Sequence, residues 1–332
     1  MAAYDYDGST EVIALCPSRE NAEGALEMVR SFYATVRRIA TEVIIVIDDD
    51  EPQRKEYLAI PDQVAKLQVG MGVIRPEPPR IMTVQGGSLT KATNEAVERL
   101  WNADSIVGHV GDDHRFITEG WDEDIRNAIL EGYYVVYGYD GFRSAWASAW
   151  WTTMEVIRTL GWLAVPGSRH LTIDDVFMDI GAGLGEHPEE RLKFLPETII
   201  KHLHPAGGEV AWRPIVKSHY EKSRRLEEEE NLLRYRNFQF AQDIEKLRTQ
   251  LQLPHYPITD LSPGKTFRSL MKGIWSPAMA QATTRFKAPA PPERDLIALN
   301  GGRPFKNTAD RLKTVRLWHQ QWRAKNPGWQ WM

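Results

Sequence analysis

The stretch "TEVIIVID", residues 41–48, constrains the fold of this chain more than any other feature of the sequence. It is an unbroken run of mainly β-branched residues. A strand that is apolar on both faces must be covered on both faces, which is typical of a parallel sheet between two layers of helices. Two further stretches, "EVIALCP" and "SIVGHV", repeat the pattern. The sequence therefore predicts the α/β class.

Helical segments separate these strands. After the first strand, apolar residues recur at Ala25, Met28, Val29 and Phe32, which is the period of a helix. "SLTKATNEAVERLWN" predicts another helix with Ser88 as its N-cap. "KLQVGMGVI", residues 66–74, predicts a third strand. This alternation predicts a Rossmann-like, mostly parallel sheet with helices on both faces.

Acidic residues follow two of the predicted strands. Asp48, Asp49 and Asp50 end the central run, and Asp112 and Asp113 follow the strand that begins at Ser105. The carboxyl ends of parallel strands meet at one edge, where α/β sheets bind ligands. Neighbouring carboxylates repel unless a cation lies beside them. We therefore predict a metal site at Asp112 and Asp113, the alternative being a solvated turn.

The pattern divides the chain into residues 1–220, 221–260 and 261–332. The first part is the α/β domain. The second predicts one long amphipathic helix, whose apolar stripe packs on the chain's own domain or dimerises. The third predicts a helical, basic, aromatic-rich extension with a Pro-rich linker.

The charge is distributed unevenly along the chain. Residues 261–332 carry 13 Lys and Arg against 3 Asp and Glu, whereas residues 1–260 carry 28 against 42. Such polarity predicts an anionic partner for the extension, or docking of the extension on its own acidic body.

Several protein classes are excluded by what the sequence lacks. No run approaches about 18 apolar residues, so we expect no membrane contact. The beginning of the sequence lacks the apolar region of a signal peptide. Cys16 is the only cysteine, which excludes a disulfide framework and leads us to expect a cytoplasmic protein. Neither a dinucleotide fingerprint nor a P-loop is present.

Six motifs in order carry a resemblance to a known family. They are "CPSREN", "VIIVIDDDEP", "GGSLTKATNEAV", "GHVGDDHRFITEGWD", "RHLTIDDVFMDIG" and "HLHP". Together they resemble the GT-A fold glycosyltransferases of the kind found in actinobacterial phages. The resemblance covers about residues 10–220, and nothing beyond is similar.

The resemblance implies a metal-dependent enzyme that binds a nucleotide-diphosphate sugar, with a UDP-sugar favoured. Asp113 would ligate Mn²⁺ or Mg²⁺, and Asp112 would contact the ribose or its phosphate. Gly111 stands where the family's Asp-x-Asp motif has its first aspartate. His204, with His202 as the reserve, would be a further metal ligand. The other residues expected near the nucleotide or its sugar are Pro17, Ser18, Arg19, Asp48, Asp49, Asp50, Lys91, Asn94 and His170.

An inverting transferase needs a general base beside the acceptor hydroxyl. Asp174 and Asp175 lie where the family places that carboxylate, and Asp174 is preferred. The alternative for Asp174 is an N-cap of the following helix. Whether the transfer inverts or retains the anomeric configuration is left open.

The acceptor has two candidate classes. The basic extension, with aromatics such as Trp318 and Trp322, favours a hydroxymethylated pyrimidine in phage DNA, because cations neutralise phosphates and aromatics stack on bases. The alternative acceptor is a capsid or tail protein, and a non-catalytic sugar-nucleotide binder is a third possibility. The oligomeric state is left open. Residues expected to contact the acceptor are Trp146, Trp150, Trp151, Arg316 and Arg323.

Overall fold

A computed structural model of the chain describes residues 10–38, 40–68, 77–101, 103–141, 147–203, 222–256 and 293–301, and residues 303, 305, 311, 314, 317, 318 and 321. The strands are β1 (Glu11–Pro17), β2 (Thr41–Asp48), β3 (Arg80–Val84), β4 (Ser105–His109), β5 (His114–Phe116), β6 (Val135–Tyr139), β7 (Trp150–Thr153) and β8 (Leu192–His202). The α-helices are α1 (Ala22–Thr35), α2 (Arg54–Leu58), α3 (Ile60–Gln68), α4 (Leu89–Arg99), α5 (Trp121–Leu130), α6 (Met154–Leu160), α7 (Ile173–Leu184), α8 (Lys222–Phe238), α9 (Phe240–Gln250) and α10 (Glu293–Leu299).

The strands form one sheet in the order β3-β2-β1-β4-β7-β6-β8-β5. β3, β2, β1 and β4 run parallel to one another, and β6 runs parallel to β8. β7 is antiparallel to both of its neighbours, and β5 is antiparallel to β8. Because β7 is antiparallel to both β4 and β6, those two strands run in the same direction. The α/β class is confirmed, and the sheet is mixed, with four parallel pairings among the seven that join the described strands.

The sheet separates two hydrophobic cores. One face packs against α1, α2, α3 and α5, through residues such as Phe32 and Trp121. The other face packs against α4, α6, α7, α8 and α9, through residues such as Phe177 and Tyr235. Residues 43–47 of β2 are almost completely buried because alternate side chains enter the two cores. Helices therefore cover both faces, as the continuous apolar strands predict.

The predicted third strand is wrong in position. Residues 66–68 belong to α3, where Ile60 and Val64 are buried one helical turn apart, and residues 69–74 lie outside the described part. The strand beside β2 is β3, whose residues are partly exposed at the sheet edge. An edge strand needs no continuous apolar run, so its sequence carries a weak signal.

The described residues 222–256 contain two helices where the sequence predicts one. α8 ends at Phe238, and α9 begins at Phe240 after a break at Gln239. The break lets Tyr235 and Phe240 pack edge to face in the same core. The pair docks on the chain's own domain, as one of the two alternatives predicted.

Two buried arginines fasten this helix pair to α7. Arg236 forms a 2.5 Å ion pair with Asp179, whose side chain is 1% exposed. Arg248 donates to the carbonyl of Gly183 at 2.8 Å, where α7 ends and its carbonyls lack helical partners. Helices α8 and α9 are therefore integral to the α/β core and share its packing.

The described residues of the extension contact the chain itself. Arg311 forms an ion pair with Glu230 of α8. Trp318 packs on Leu296 of α10, and its indole N–H donates to Asp295 at 3.3 Å. Arg316 and Arg323 lie outside the described residues. Where the chain is described, no helix has the length and apolarity that crossing a bilayer requires.

Candidate functional site

The site lies at the edge of the sheet where the parallel strands end. β1, β2, β4, β6 and β8 all point to this edge, since β6 and β8 share the direction of β4. Their carboxyl ends bring together Ser18, Asp48, Asp113, Asp140 and His202. This edge is where open α/β sheets bind ligands.

A carboxylate and two imidazoles form the centre of this edge. Asp113 Oδ2 lies 3.3 Å from His202 Nε2, and Asp113 Oδ1 lies 3.3 Å from His114 Nδ1. The two imidazole rings stack, with centroids 4.6 Å apart, because His114 and His202 are paired residues of β5 and β8. One ligand atom from each of the three residues lies within 4.8 Å of the others.

Electrostatics keep the carboxylate of this cluster charged. Burial opposes ionisation of Asp113, but His114 and His202 hold its pKa well below the usual range. Burial also opposes protonation of His202, yet the bond to Asp113 raises its pKa. Burial and the neighbouring His202 lower the pKa of His114. Asp113 therefore remains an anionic oxygen ligand across the physiological pH range.

The donor set fits a divalent cation. Asp113 and His202 offer carboxylate oxygen and imidazole nitrogen, and their side chains are 31% and 22% exposed, so the cluster opens to one side. Both ring nitrogens of His114 already have hydrogen-bond partners. Its Nδ1 accepts the Gly111 N–H at 2.9 Å, and its Nε2 lies 3.2 Å from Ser148 Oγ. Oxygen and nitrogen ligands with room for phosphate oxygens suit Mn²⁺ or Mg²⁺.

A hydrogen-bonded chain fixes Asp112 beside this cluster. The backbone N–H of Asn21 donates to the Tyr57 hydroxyl at 2.9 Å, and this hydroxyl lies 2.7 Å from Ser18 Oγ. Ser18 Oγ donates to Asp112 Oδ2 at 2.6 Å. Burial raises the pKa of Tyr57, so its hydroxyl stays protonated. The chain joins the loop after β1 to the loop after β4.

A second group of polar side chains at this edge is a cluster of ion pairs around Arg19. Arg19 Nη1 contacts Asp48 Oδ2 at 2.8 Å and Asp50 Oδ1 at 2.5 Å. Asp48 presses against Gly86, where a Cβ would lie 1.7 Å from the Asp48 carboxylate and φ is +64°. Only glycine meets both demands. Asp49 is exposed in the turn.

The two aspartates predicted as general base lie in the first turn of α7. Asp174 Oδ1 accepts the indole N–H of Trp150 at 3.3 Å, and its charge contributes to the raised pKa of His202. The charge of Asp175 acts instead on Arg236. Thr172 occupies the N-cap position, so Asp174 is not the cap. Of the two aspartates, Asp174 is therefore the one whose charge acts on His202.

Several predicted contacts have a structural role in this fold. Trp150 stacks on Phe177 at 3.8 Å, and both Trp150 and Trp151 are fully buried, so neither ring offers a surface to an acceptor. Asn94 accepts the N–H groups of Leu163 and Ala164 and donates to the Ala164 carbonyl. These bonds hold the turn that precedes α7.

The remaining predicted residues either are at least partly exposed or lie outside the described residues. Lys91 is exposed on α4, whose N-cap is Ser88 as predicted. Pro17 ends β1. His170 is half-buried, and its backbone N–H donates to Glu228. His204 and Trp146 lie outside the described residues.

Four residues of the site were not predicted. Asp140 follows β6 and raises the pKa of His202, and the strand-end pattern that identified Asp48 and Asp113 applies to it equally. His114 follows Asp113 directly but has no distinguishing spacing. Tyr57 and Glu228 carry no local signal, because their partners lie 39 and at least 56 residues away.

Comparisons with known proteins give distant structural likenesses. No family model and no curated protein matches the chain. The mannosyltransferase PcManGT from Pyrobaculum calidifontis, solved with GDP-Man and Mn²⁺, aligns over 96% of this chain and 87% of its own, with 13% identity and a TM-score of 0.46. Glucosyl-3-phosphoglycerate synthase from Mycobacterium tuberculosis, solved with Mn²⁺, UDP and phosphoglyceric acid, aligns over 74% of this chain and 80% of its own, with 11% identity and a TM-score of 0.44.

Proposed function

We propose that this chain is a metal-dependent GT-A glycosyltransferase that moves a sugar from a nucleotide-diphosphate sugar to a hydroxyl acceptor. The observation that carries the proposal is the convergence of Asp112, Asp113 and His202 at the carboxyl edge of the sheet, beside Ser18 and Arg19. The motif order that resembles this family supports it independently of the geometry.

The donor would bind across the ends of β1, β2 and β4. Asp113 and His202 would hold Mn²⁺ or Mg²⁺, with His204 as a further ligand. When bound, such an ion supplies positive charge that stabilises the departing diphosphate. Asp112, fixed by Ser18, would accept a hydrogen bond from the ribose. Arg19 and Asp48 would contact the nucleotide, and a UDP-sugar remains the favoured donor.

Asp174 would act as the general base. The charge of Asp174 acts on His202, which supports this role: the carboxylate would remove the proton of the acceptor hydroxyl as the new glycosidic bond forms. Asp175 is assigned no direct role because Arg236 lies beside it. His170 would contact the donor diphosphate or sugar.

For the acceptor, the first candidate is a hydroxymethylated pyrimidine in phage DNA, supported by the basic extension. The second is a hydroxyl of a virion protein. The ion pair of Arg311 with Glu230 weakens the support for DNA, because it assigns part of the basic charge to docking on the chain's own body. A non-catalytic sugar-nucleotide binder would not need a carboxylate such as Asp174 whose charge acts on His202.

The metal assignment is tested by calorimetry with UDP or GDP in the presence of Mn²⁺. Asp113→Ala should weaken Mn²⁺-dependent binding by at least about tenfold, because the metal loses its anionic ligand. Asp62→Ala, which removes an exposed carboxylate of α3, is the matched control and should bind as wild type. Equal binding by the two variants would refute the site.

The reaction is tested by intact-mass analysis of hydroxymethylated DNA and of virion proteins after incubation with a panel of nucleotide sugars. Asp174→Asn should keep donor affinity while turnover falls by roughly 10²–10⁴-fold. A loss of donor affinity in that variant would instead place Asp174 in the donor site. A mass increase on DNA or on protein decides between the two acceptors.

A further inference from the structure

The loop between α6 and α7 leads directly into the proposed base. Residues 166–172 precede Ile173, the first residue of α7, and contain His170. A loop of this kind has backbone N–H groups without helical or sheet partners, so its conformation depends on groups from elsewhere. Here those groups come from α8, more than 50 residues further along the chain.

Glu228 supplies most of these contacts. Its Oε1 accepts the backbone N–H of Arg169 at 2.6 Å and that of His170 at 2.9 Å. Its Oε2 lies 3.4 Å from Thr172 Oγ1, which donates to it. Glu228 is 4% exposed, although it lies in a run of four glutamates whose other members are at the surface or partly so. A buried carboxylate is retained only where donors surround it.

Neighbouring contacts hold the loop from both sides. Asn231, one helical turn after Glu228, donates from Nδ2 to the Gly167 carbonyl at 2.8 Å. On the opposite side, the carbonyl of Arg169 accepts the N–H of Thr90 in the first turn of α4 at 3.4 Å. The loop is therefore held between α8 and the helix that follows the Gly86–Gly87 turn.

We propose that Glu228 is a positioning residue. Its carboxylate fixes the 168–172 loop and thereby sets the positions of His170 and Asp174 relative to Asp113 and His202, the proposed metal ligands. The roles of His170 and Asp174 rest on the proposed function, whereas the anchoring of the loop does not. It follows that α8 belongs to the catalytic unit. A protein cut at residue 220, the boundary predicted from the sequence, would lack the group that holds this loop.

The geometry ranks substitutions at this position. Glu228→Gln keeps the Oε1 that accepts both N–H groups, and its amide can donate to Thr172 Oγ1. Glu228→Asp withdraws the carboxylate by one methylene, so it cannot reach both donors. Glu228→Ala leaves two N–H groups and a hydroxyl without their acceptor. The neighbouring Glu229→Ala is a matched control, since Glu229 pairs with the exposed Arg225.

The test measures amide hydrogen exchange in a peptide spanning 166–173, and steady-state transfer, for these four variants of the full chain. In Glu228→Ala, exchange at Arg169 and His170 should quicken by at least about tenfold. Turnover should fall by about 10²-fold, as misplacement of reacting groups by about 1 Å does. The affinity for UDP with Mn²⁺ should fall much less than turnover, because the proposed metal ligands Asp113 and His202 lie outside this loop and only the His170 contact is displaced. Glu228→Gln and Glu229→Ala should match wild type, and Glu228→Asp should be intermediate.

The outcomes separate the two proposals. Unchanged exchange in both Glu228→Ala and Glu228→Asp would overturn the anchoring role, and faster exchange with unchanged turnover would overturn its importance for the reaction. If Glu228→Ala does not fold, Glu228→Asp decides. If wild type transfers no sugar to any acceptor, the proposed function fails, and the exchange data still decide whether Glu228 anchors the loop.

Discussion

We expect the buried imidazole of His109 to make the stability of this protein sensitive to acid. His109 ends β4 and is 7% exposed, with its ring stacked on Trp150 at a centroid distance of 5.8 Å. Neither ring nitrogen has a hydrogen-bond partner among the described residues. Burial, and to a lesser degree the neighbouring His114, lowers the pKa of His109 from 6.5 to about 3. The folded protein therefore holds this ring neutral at pH values where the unfolded chain protonates it.

The sign and size of the effect follow from that pKa. The folded pKa of His109 lies below the unfolded one. The unfolding free energy is therefore unaffected by this group above pH 6.5, and it falls as the pH decreases from 6.5 towards about 3. Each pH unit inside this window costs about 1.4 kcal/mol of unfolding free energy. Acidification from neutral pH to about pH 5 therefore costs about 2 kcal/mol, and the whole window about 5 kcal/mol.

Urea unfolding of wild type and of His109→Phe at neutral pH and at about pH 5 measures this contribution. Phenylalanine keeps a ring against Trp150 but does not titrate. Other ionisable groups act in both proteins, so the difference between the two pH responses isolates His109. We expect wild type to lose about 2 kcal/mol more than the variant. At neutral pH the variant should be at least as stable, because it removes a buried polar group that has no partner. Equal losses in the two proteins would refute the reasoning.

Three further predictions concern the core and the site. Asp179→Ala should lower the unfolding free energy by about 3–5 kcal/mol, because it leaves the Arg236 guanidinium buried without its partner, whereas the double variant Asp179→Leu/Arg236→Met should lose much less. Urea titration of both variants checks this, and equal losses would contradict it. Ser18→Ala should weaken UDP–Mn²⁺ binding by about tenfold or more in calorimetry, because Asp112 loses a 2.6 Å hydrogen bond; unchanged affinity would remove Ser18 from the site. Chelation of divalent ions should abolish transfer and added Mn²⁺ should restore it, so activity that survives chelation would disprove metal dependence.

Part of the site was predictable because its signal is local. A run such as residues 43–47 is apolar at every position, which only a strand between two layers tolerates, and the direction of parallel strands then places their last residues at one edge. Asp48, Asp112 and Asp113 are predictable in this way without any long-range contact. Asp140, which follows β6, carries the same local signal.

The α/β class, the buried strands and the acidic edge thus follow from the sequence alone, since burial follows from neighbouring residues and the alternation of strands with helices sets the strand direction. Which side chains meet at that edge depends on long-range contacts. His202 reaches Asp113 across 89 residues because β8 pairs with β5, and Glu228 reaches the 169–172 loop because α8 docks on α7. Tertiary packing likewise buries Trp150 and Trp151 and pairs Arg311 with Glu230. A sequence pattern specifies which face of a helix or strand is buried. Which other element buries that face depends on the packing of the whole chain.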